Sequence, residues 1–194
     1  SSKLQIGIKH ENSRVIANNN CGSMGYDLPA AIGSAVASKK EVICVTGDGS
    51  IMMNLQELQT IKHYNLPVKV VIFSNDGYNA FRQTCKNFFN GFNVGCDAES
   101  GVSFPSFEKV ADTFGYGYKC CHSNGELDEC LDWLFSQEGQ VILEVEQRLD
   151  DPITPKVMSR INDKGEFVTP SIEDMYPFID EEEYKSLMIG DING

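Results

Sequence analysis

Gly47-Asp48-Gly49-Ser50 directly follows the apolar run Val42-Ile43-Cys44-Val45, and Asn75 stands 27 residues beyond Asp48, just after a second apolar run, Val68 to Phe73. A carboxylate and an amide carbonyl therefore sit at the ends of two strand-like segments. If the stretch between them crosses over as a helix, the strands are parallel and both loops open at the carboxyl edge of the sheet, where α/β proteins hold ligands. Oxygen donors there suit a hard divalent cation such as Mg²⁺, which takes one or two protein ligands and completes its shell with phosphate and water. Gly47 and Gly49 let the backbone come near a phosphate, and a helix starting at about Ser50 would aim free N–H groups and its positive dipole end at it. Gly-Asp-Gly alone is also an ordinary turn; Asn75 after the next strand is what points to a site.

The elements that must position these groups follow from periodicity. Arg14 to Ala17 is a short strand candidate, followed by the turn-forming stretch Asn18 to Gly25. Asp27 stands at an N-cap position with Pro29 in the first turn, and Ala30, Ala31, Gly33, Ser34, Ala35 and Ala37 continue as a smooth helix able to approach a neighbour closely. A strand over Glu41 to Thr46 leads into the Gly-Asp-Gly-Ser turn, after which Ile51, Leu55, Leu58 and Ile61 recur at helical spacing until Asn65-Leu66-Pro67 stops them. Tyr78 to Phe89 reads as part loop and part helix, and 90–104, with three glycines and no period, as a long surface loop. Pro105 to Phe114 and Leu127 to Phe135 are amphipathic helices, and Gln140 to Val145 a last buried strand. This alternation predicts an α/β fold, a doubly wound and mostly parallel sheet with helices on both faces. The expected domain is 1–149, with 150–194 a Pro-containing acidic tail holding no strand of its own.

Composition limits the partners. A chain of 194 residues with 41% apolar content builds one good core. The formal charge of −12 argues against nucleic acid and against an anionic membrane surface. Residues 171–194 carry seven acidic side chains against Lys185 alone and read as a solvated tail. No apolar run approaches the ~18 residues of a membrane span, and no signal peptide is read at the start. Seven cysteines without a C-x-x-C pair fit a reduced, cytoplasmic setting. Cys120-Cys121-His122 is not read as a metal site, because adjacent cysteines point to opposite sides of a strand; His10, His63 and His122 are read as isolated.

Together these residues resemble the thiamine diphosphate enzymes, whose cofactor motif opens with Gly-Asp-Gly and closes on a paired Asn at similar spacing. Gly47 to Ser50 with Met53 to Ile61, Asn65-Leu66-Pro67-Val68, and Gly22 to Gly33 are similar to the acetolactate synthase branch. The resemblance covers residues 14 to 148, the diphosphate-binding domain of a larger enzyme. It implies that Asp48, Asn75 and the Gly77 carbonyl ligate Mg²⁺, and that Gly47, Gly49, Ser50, Tyr78 and Asn79 approach the diphosphate of bound thiamine diphosphate. It further implies that Met24 is the apolar wedge that bends the cofactor, with its N–H and the Gly22 carbonyl on the pyrimidine edge.

Departures from the pattern widen the expected reaction. Asn79-Ala80-Phe81-Arg82-Gln83-Thr84 stands where the branch often has Gly-Met-Val-Arg-Gln-Trp, and Ser74 replaces the first of the paired Asn. The expectation is decarboxylation of a 2-oxo acid with carbon–carbon ligation, a decarboxylase or lyase of the same superfamily being the alternative. The tail, Pro155 to Phe178, is similar to acetolactate-synthase-like proteins of polysaccharide pathways. No catalytic residue is expected here, since the glutamate that activates the cofactor belongs to a pyrimidine-binding domain, of this parent chain or of another subunit of a homo-oligomer. The first strand of the diphosphate domain should likewise precede residue 1, and little turnover is expected of the chain alone. A Mg²⁺-dependent phosphohydrolase would need further carboxylates near Asp48; a noncatalytic binding or assembly module is the remaining class.

Overall fold

The computed structural model describes residues 13–18, 21–148, 154–161 and 164–188. They fall in two compact units, one within Lys9–Asp151 and one within Pro152–Gly194. The expected boundary at 149/150, His10, Asn19, Asn20 and Asp191 lie outside the described residues.

The first unit runs α1 (Asp27–Ser38), β1 (Val42–Gly47), α2 (Asp48–Ile51), α3 (Glu57–His63), β2 (Val68–Ser74), α4 (Asn79–Phe88), α5 (Phe107–Phe114), β3 (Gly117–Cys121), α6 (Leu127–Ser136) and β4 (Val141–Glu146). Its four strands are all parallel in the order β1-β2-β4-β3. Val68, Val70 and Ile72 of β2 point to one face and join a core with Leu28, Ala31 and Ala35 of α1, Leu58 and Ile61 of α3, and Phe107, Val110 and Ala111 of α5. Val71 points to the other face, where Leu143 and Cys121 meet Cys130 and Leu134 of α6. Helices on both faces explain why β2 and β4 read as nearly continuous apolar runs. Even Lys69 is buried, with Nζ 2.8 Å from a Glu41 carboxylate oxygen.

Local chemistry sets the ends of these elements. Ser106 caps α5 by accepting from the Lys109 N–H, and Gly115 ends it at φ +70, a conformation glycine adopts without a Cβ penalty. α1 approaches the sheet through Ala31 and Ala35, while Gly33 faces outward.

Three expectations for this unit change, and one strand was missed. Arg14–Ala17 joins no strand among the described residues. Asp27 is the first helical residue rather than the cap, its side chain being engaged elsewhere. The helix expected from Ser50 onward starts at Asp48 and is broken by a 3-10 turn at Met52–Asn54, so four-residue α2 brings little dipole to bear. The edge strand β3 was not read from periodicity, since Gly117–Cys121 contains polar and small residues and only Cys121 is buried.

The second unit is not strandless. β5 (Arg160–Ile161) pairs antiparallel with β6 (Phe167–Val168), and α7 (Glu181–Leu187) starts at Asp180, whose side chain accepts from the Glu182 N–H. Two-residue strands have no alternation to detect. Nor is every acidic group there solvated: Asp174 is buried and lies 3.4 Å from the Arg160 guanidinium, which stacks over Phe178.

Candidate functional site

In the parallel register Gly47 pairs with Phe73, so the chain leaves β1 and β2 side by side at the same carboxyl edge. That adjacency brings Asp48 to Asn75 across 27 residues of sequence. Asp48 is buried, and its Oδ2 accepts the N–H groups of Asn75 at 2.9 Å and Gly77 at 3.4 Å, while Oδ1 accepts that of Gly49 at 2.7 Å. Desolvation raises its pKa above the ordinary carboxylate value against the opposing pull of these backbone donors, that of Asp76 included. Successive N–H groups at 75–77 form an anion-holding concavity of the kind found at phosphate sites, here filled by the Asp48 carboxylate.

Arg82, buried on α4, completes the second loop. Its Nη2 donates to the Asn75 carbonyl at 3.1 Å and to Asn75 Oδ1 at 3.3 Å, and Nη1 to the Asp76 carbonyl at 3.4 Å. Gly77 pairs in an antiparallel bridge with Asp97, and a Cβ built on Gly77 would lie 2.2 Å from the Cys96 carbonyl oxygen. A Cβ on Gly49 would lie 2.2 Å from the Tyr78 ring, which packs edge-to-face on Phe104. Both glycines are therefore required by close approach.

The earlier loop is tied to this edge by Asp27, which the sequence marked only as a helix start. Asp27 Oδ2 accepts the Thr46 and Ser50 hydroxyls, each at 2.6 Å, and Oδ1 accepts the Leu28 N–H at 2.8 Å. Ser50 Oγ in turn accepts the Gly25 N–H at 3.0 Å, and Asn54 Nδ2 donates to the Gly25 carbonyl at 2.7 Å. Gly25 sits at φ +79 with its missing Cβ facing Met53. Gly22 and Met24 lie exposed in this loop, Met24 at 45%. An apolar side chain held out at an ordered edge is available to a ligand or to another protein surface.

Of the residues expected from sequence, Gly47, Asp48, Gly49, Asn75, Gly77 and Tyr78 converge on one spot, and Ser50 joins them through Asp27. Asn79 opens α4 beside them, whereas Gly22 and Met24 belong to the neighbouring loop. Asp27, Thr46, Asn54 and Arg82 were missed. Asp27 is an ordinary helix-start residue by type, and nothing in its spacing marks a contact 19 or 23 residues away. The oxygen atoms of Asp48, Asn75 and Gly77 are of the hard type a Mg²⁺ ion takes, and by donor type the residues fit such a group; Gly49 and Gly77 are themselves buried, against Tyr78 and Cys96, and Asn75 Oδ1 accepts from Arg82.

The family model described as "Thiamine pyrophosphate enzyme, C-terminal TPP binding domain" matches residues 3–145. An acetolactate synthase large subunit of Porphyra purpurea is 34% identical over 151 residues, covering 77% of this chain and 25% of that protein. The acetolactate synthase isozyme 2 large subunit of Escherichia coli (strain K12) is 34% identical over 131 residues, covering 67% and 23%. A solved structure, the Rhodococcus jostii RHA1 thiamine diphosphate-dependent 4-hydroxybenzoylformate decarboxylase, shares the fold with a TM-score of 0.59 at 26% identity, covering 68% of this chain and 24% of that one. The chain belongs to the thiamine pyrophosphate enzymes, matching their C-terminal TPP binding domain. It spans about a quarter of the length of the relatives it matches.

Proposed function

We propose that this chain is the diphosphate-anchoring domain of an acetolactate synthase-like enzyme that decarboxylates a 2-oxo acid and joins the remaining acyl unit to an acceptor. The observation that carries this reading is the buried Asp48 carboxylate joining the two strand-end loops, Gly47–Ser50 and Asn75–Gly77. Asp48, Asn75 and the Gly77 carbonyl would hold Mg²⁺, and Gly47, Gly49, Ser50, Tyr78 and Asn79 would border the diphosphate. Met24 would press on the bent cofactor, with its N–H and the Gly22 carbonyl on the pyrimidine edge. When bound, thiamine diphosphate would supply a nucleophilic carbon and an electron sink for decarboxylation. Arg82 keeps the Asn75 carbonyl groups oriented, and the Asp27 network fixes the Met24 loop relative to the Gly-Asp-Gly turn.

A pyrimidine-binding domain, of the parent chain or of another subunit in a homo-oligomer, would complete the cavity and supply the activating glutamate. Seven free thiols support a reducing, cytoplasmic setting. The decarboxylase alternative is supported by the structural likeness to a decarboxylase, while Ala80 and Thr84 on α4 leave the acceptor open. Calorimetric titration of thiamine diphosphate into the chain and into its full-length parent, with and without Mg²⁺, tests the anchoring. Binding should require Mg²⁺ and be lost in Asp48→Ala; binding to the parent that survives chelation or that substitution would refute it. With pyruvate, a ligated product from the parent supports the synthase reading, and free aldehyde alone supports the decarboxylase.

A further inference from the structure

The carboxyl edge carries a second group of ligating side chains, on the two strands farthest from Asp48 in the sheet order, β4 and β3. Thr46, Ile72, Glu144 and Cys120 form one row across β1, β2, β4 and β3, so Cys120 and Glu144 share a sheet face, and His122 and Glu146 follow them by two residues each. Cys121 turns to the opposite face and is buried in the core with Cys130. Adjacent cysteines thus cannot act together, as expected, but the neighbouring strand supplies what Cys121 does not. Cys120 Sγ lies 3.7 Å from His122 Nδ1 and 3.8 Å from Glu146 Oε1, and His122 Nδ1 lies 3.0 Å from Glu146 Oε2.

We propose that Cys120, His122 and Glu146 form a binding site for a borderline-soft divalent transition metal ion of the Zn²⁺ type, with its remaining coordination position open to solvent. The spacing decides between a loose surface cluster and a site. Zn–S near 2.3 Å and Zn–N or Zn–O near 2.05 Å in a tetrahedron give ligand-to-ligand edges of about 3.6 Å for sulfur pairs and about 3.3 Å for the N···O pair. The Cys120–His122 separation is close to its edge, and because the Cys120 and His122 contacts fall on different oxygens of Glu146, that exposed carboxylate must turn to bring one oxygen to the ion; the three ligand atoms all lie within 4.8 Å of one another.

The surroundings hold these ligands and favour a cation. Glu126 accepts the His122 N–H at 3.0 Å and the Ser123 hydroxyl at 3.1 Å, which fixes the turn carrying the imidazole. Tyr118 donates its hydroxyl to Glu144, on the same sheet face as Cys120. Glu126, Glu144 and Glu146 make the local field negative, while Lys119 is engaged by Glu129. A hard ion that prefers an all-oxygen shell gains little from a thiolate and an imidazole, so this site and the Asp48 site select different metals. Cys120 binds as the thiolate, so its proton leaves when the ion binds and affinity rises with pH.

The test is Zn²⁺ titration of the whole chain, with Co²⁺ as an optical probe in parallel. One Zn²⁺ should bind per chain, Mg²⁺ should not compete, and Co²⁺ should show a sulfur-to-metal charge-transfer band. Cys120→Ser should abolish the band, and His122→Ala and Glu146→Gln should each weaken Zn²⁺ at least as much as the ~10–100-fold typical of losing an outer hydrogen-bond partner. Asp48→Asn and Cys21→Ser should leave it unchanged. Absence of Zn²⁺ binding, a band that survives Cys120→Ser, or binding that disappears with Asp48 or Cys21 instead would overturn the proposal.

Discussion

Asp27→Ala is the substitution that most directly probes how the two loops are held together. It removes one carboxylate that accepts the Thr46 hydroxyl, the Ser50 hydroxyl and the Leu28 N–H. Hydrogen bonds to a charged group contribute about 1.5–3 kcal/mol each, and losing the acceptor strands the donors that remain. The three share one acceptor and will not add. Thr46, which is buried, also has a fallback in the Gly47 carbonyl at 3.3 Å, and Ser50 is only partly buried. Loss of an anion at the start of α1 adds about 0.3–1 kcal/mol. The expected cost is therefore about 2–4 kcal/mol, read as a lower midpoint in urea unfolding at unchanged slope. Asp27→Asn keeps one oxygen acceptor and should lose roughly half as much. A cycle combining Asp27→Ala with Ser50→Ala should show a coupling of at least ~0.5 kcal/mol. Stability within ~0.5 kcal/mol of wild type for Asp27→Ala, or strict additivity in the cycle, would refute the network.

Two further outcomes follow from particular contacts. Gly49→Ala should destabilise by about 1–3 kcal/mol, because its Cβ would lie 2.2 Å from the Tyr78 ring; in a Tyr78→Ala background the same change should be neutral or stabilising, since alanine is then the better helix residue. An unaltered penalty in that background, measured by denaturant unfolding, would place the clash elsewhere. Asp97 is held below the usual value of 3.8, first by the Ser100 hydroxyl. With its folded pKa depressed, its contribution is present above the unfolded value and lost as pH falls through the folded one, below 3.8. Carboxyl-carbon NMR should show that titration, and Ser100→Ala should move it upward; an unmoved Asp97 in that variant would contradict the assigned cause.

Read alone, the chain determined its kinship with the thiamine pyrophosphate enzymes and the position of Asp48 at the end of a strand. The Gly-Asp-Gly turn and Asn75 were legible because each directly follows an apolar run, and a helical crossover between two such runs forces both loops to one edge. The sheet and its major helices were legible for a related reason: burial on both faces leaves an apolar signature in β2 and β4, and the helices carry apolar periodicity. What had no local signal was left to the tertiary structure. β3 is a partly exposed edge strand, β5 and β6 are too short to alternate, and a turn at Met52–Asn54 interrupts a helical period that Ile51, Leu58 and Ile61 still satisfy by packing. The Asp27 network, the Arg82 clasp and the Cys120, His122 and Glu146 cluster all join side chains from different elements. Residue type and spacing fix which groups end a strand or open a helix; only strand order and register fix which of those ends are neighbours, as for Asp48 with Asn75 and for Cys120 with Glu146, and helix packing fixes the Asp27 contacts.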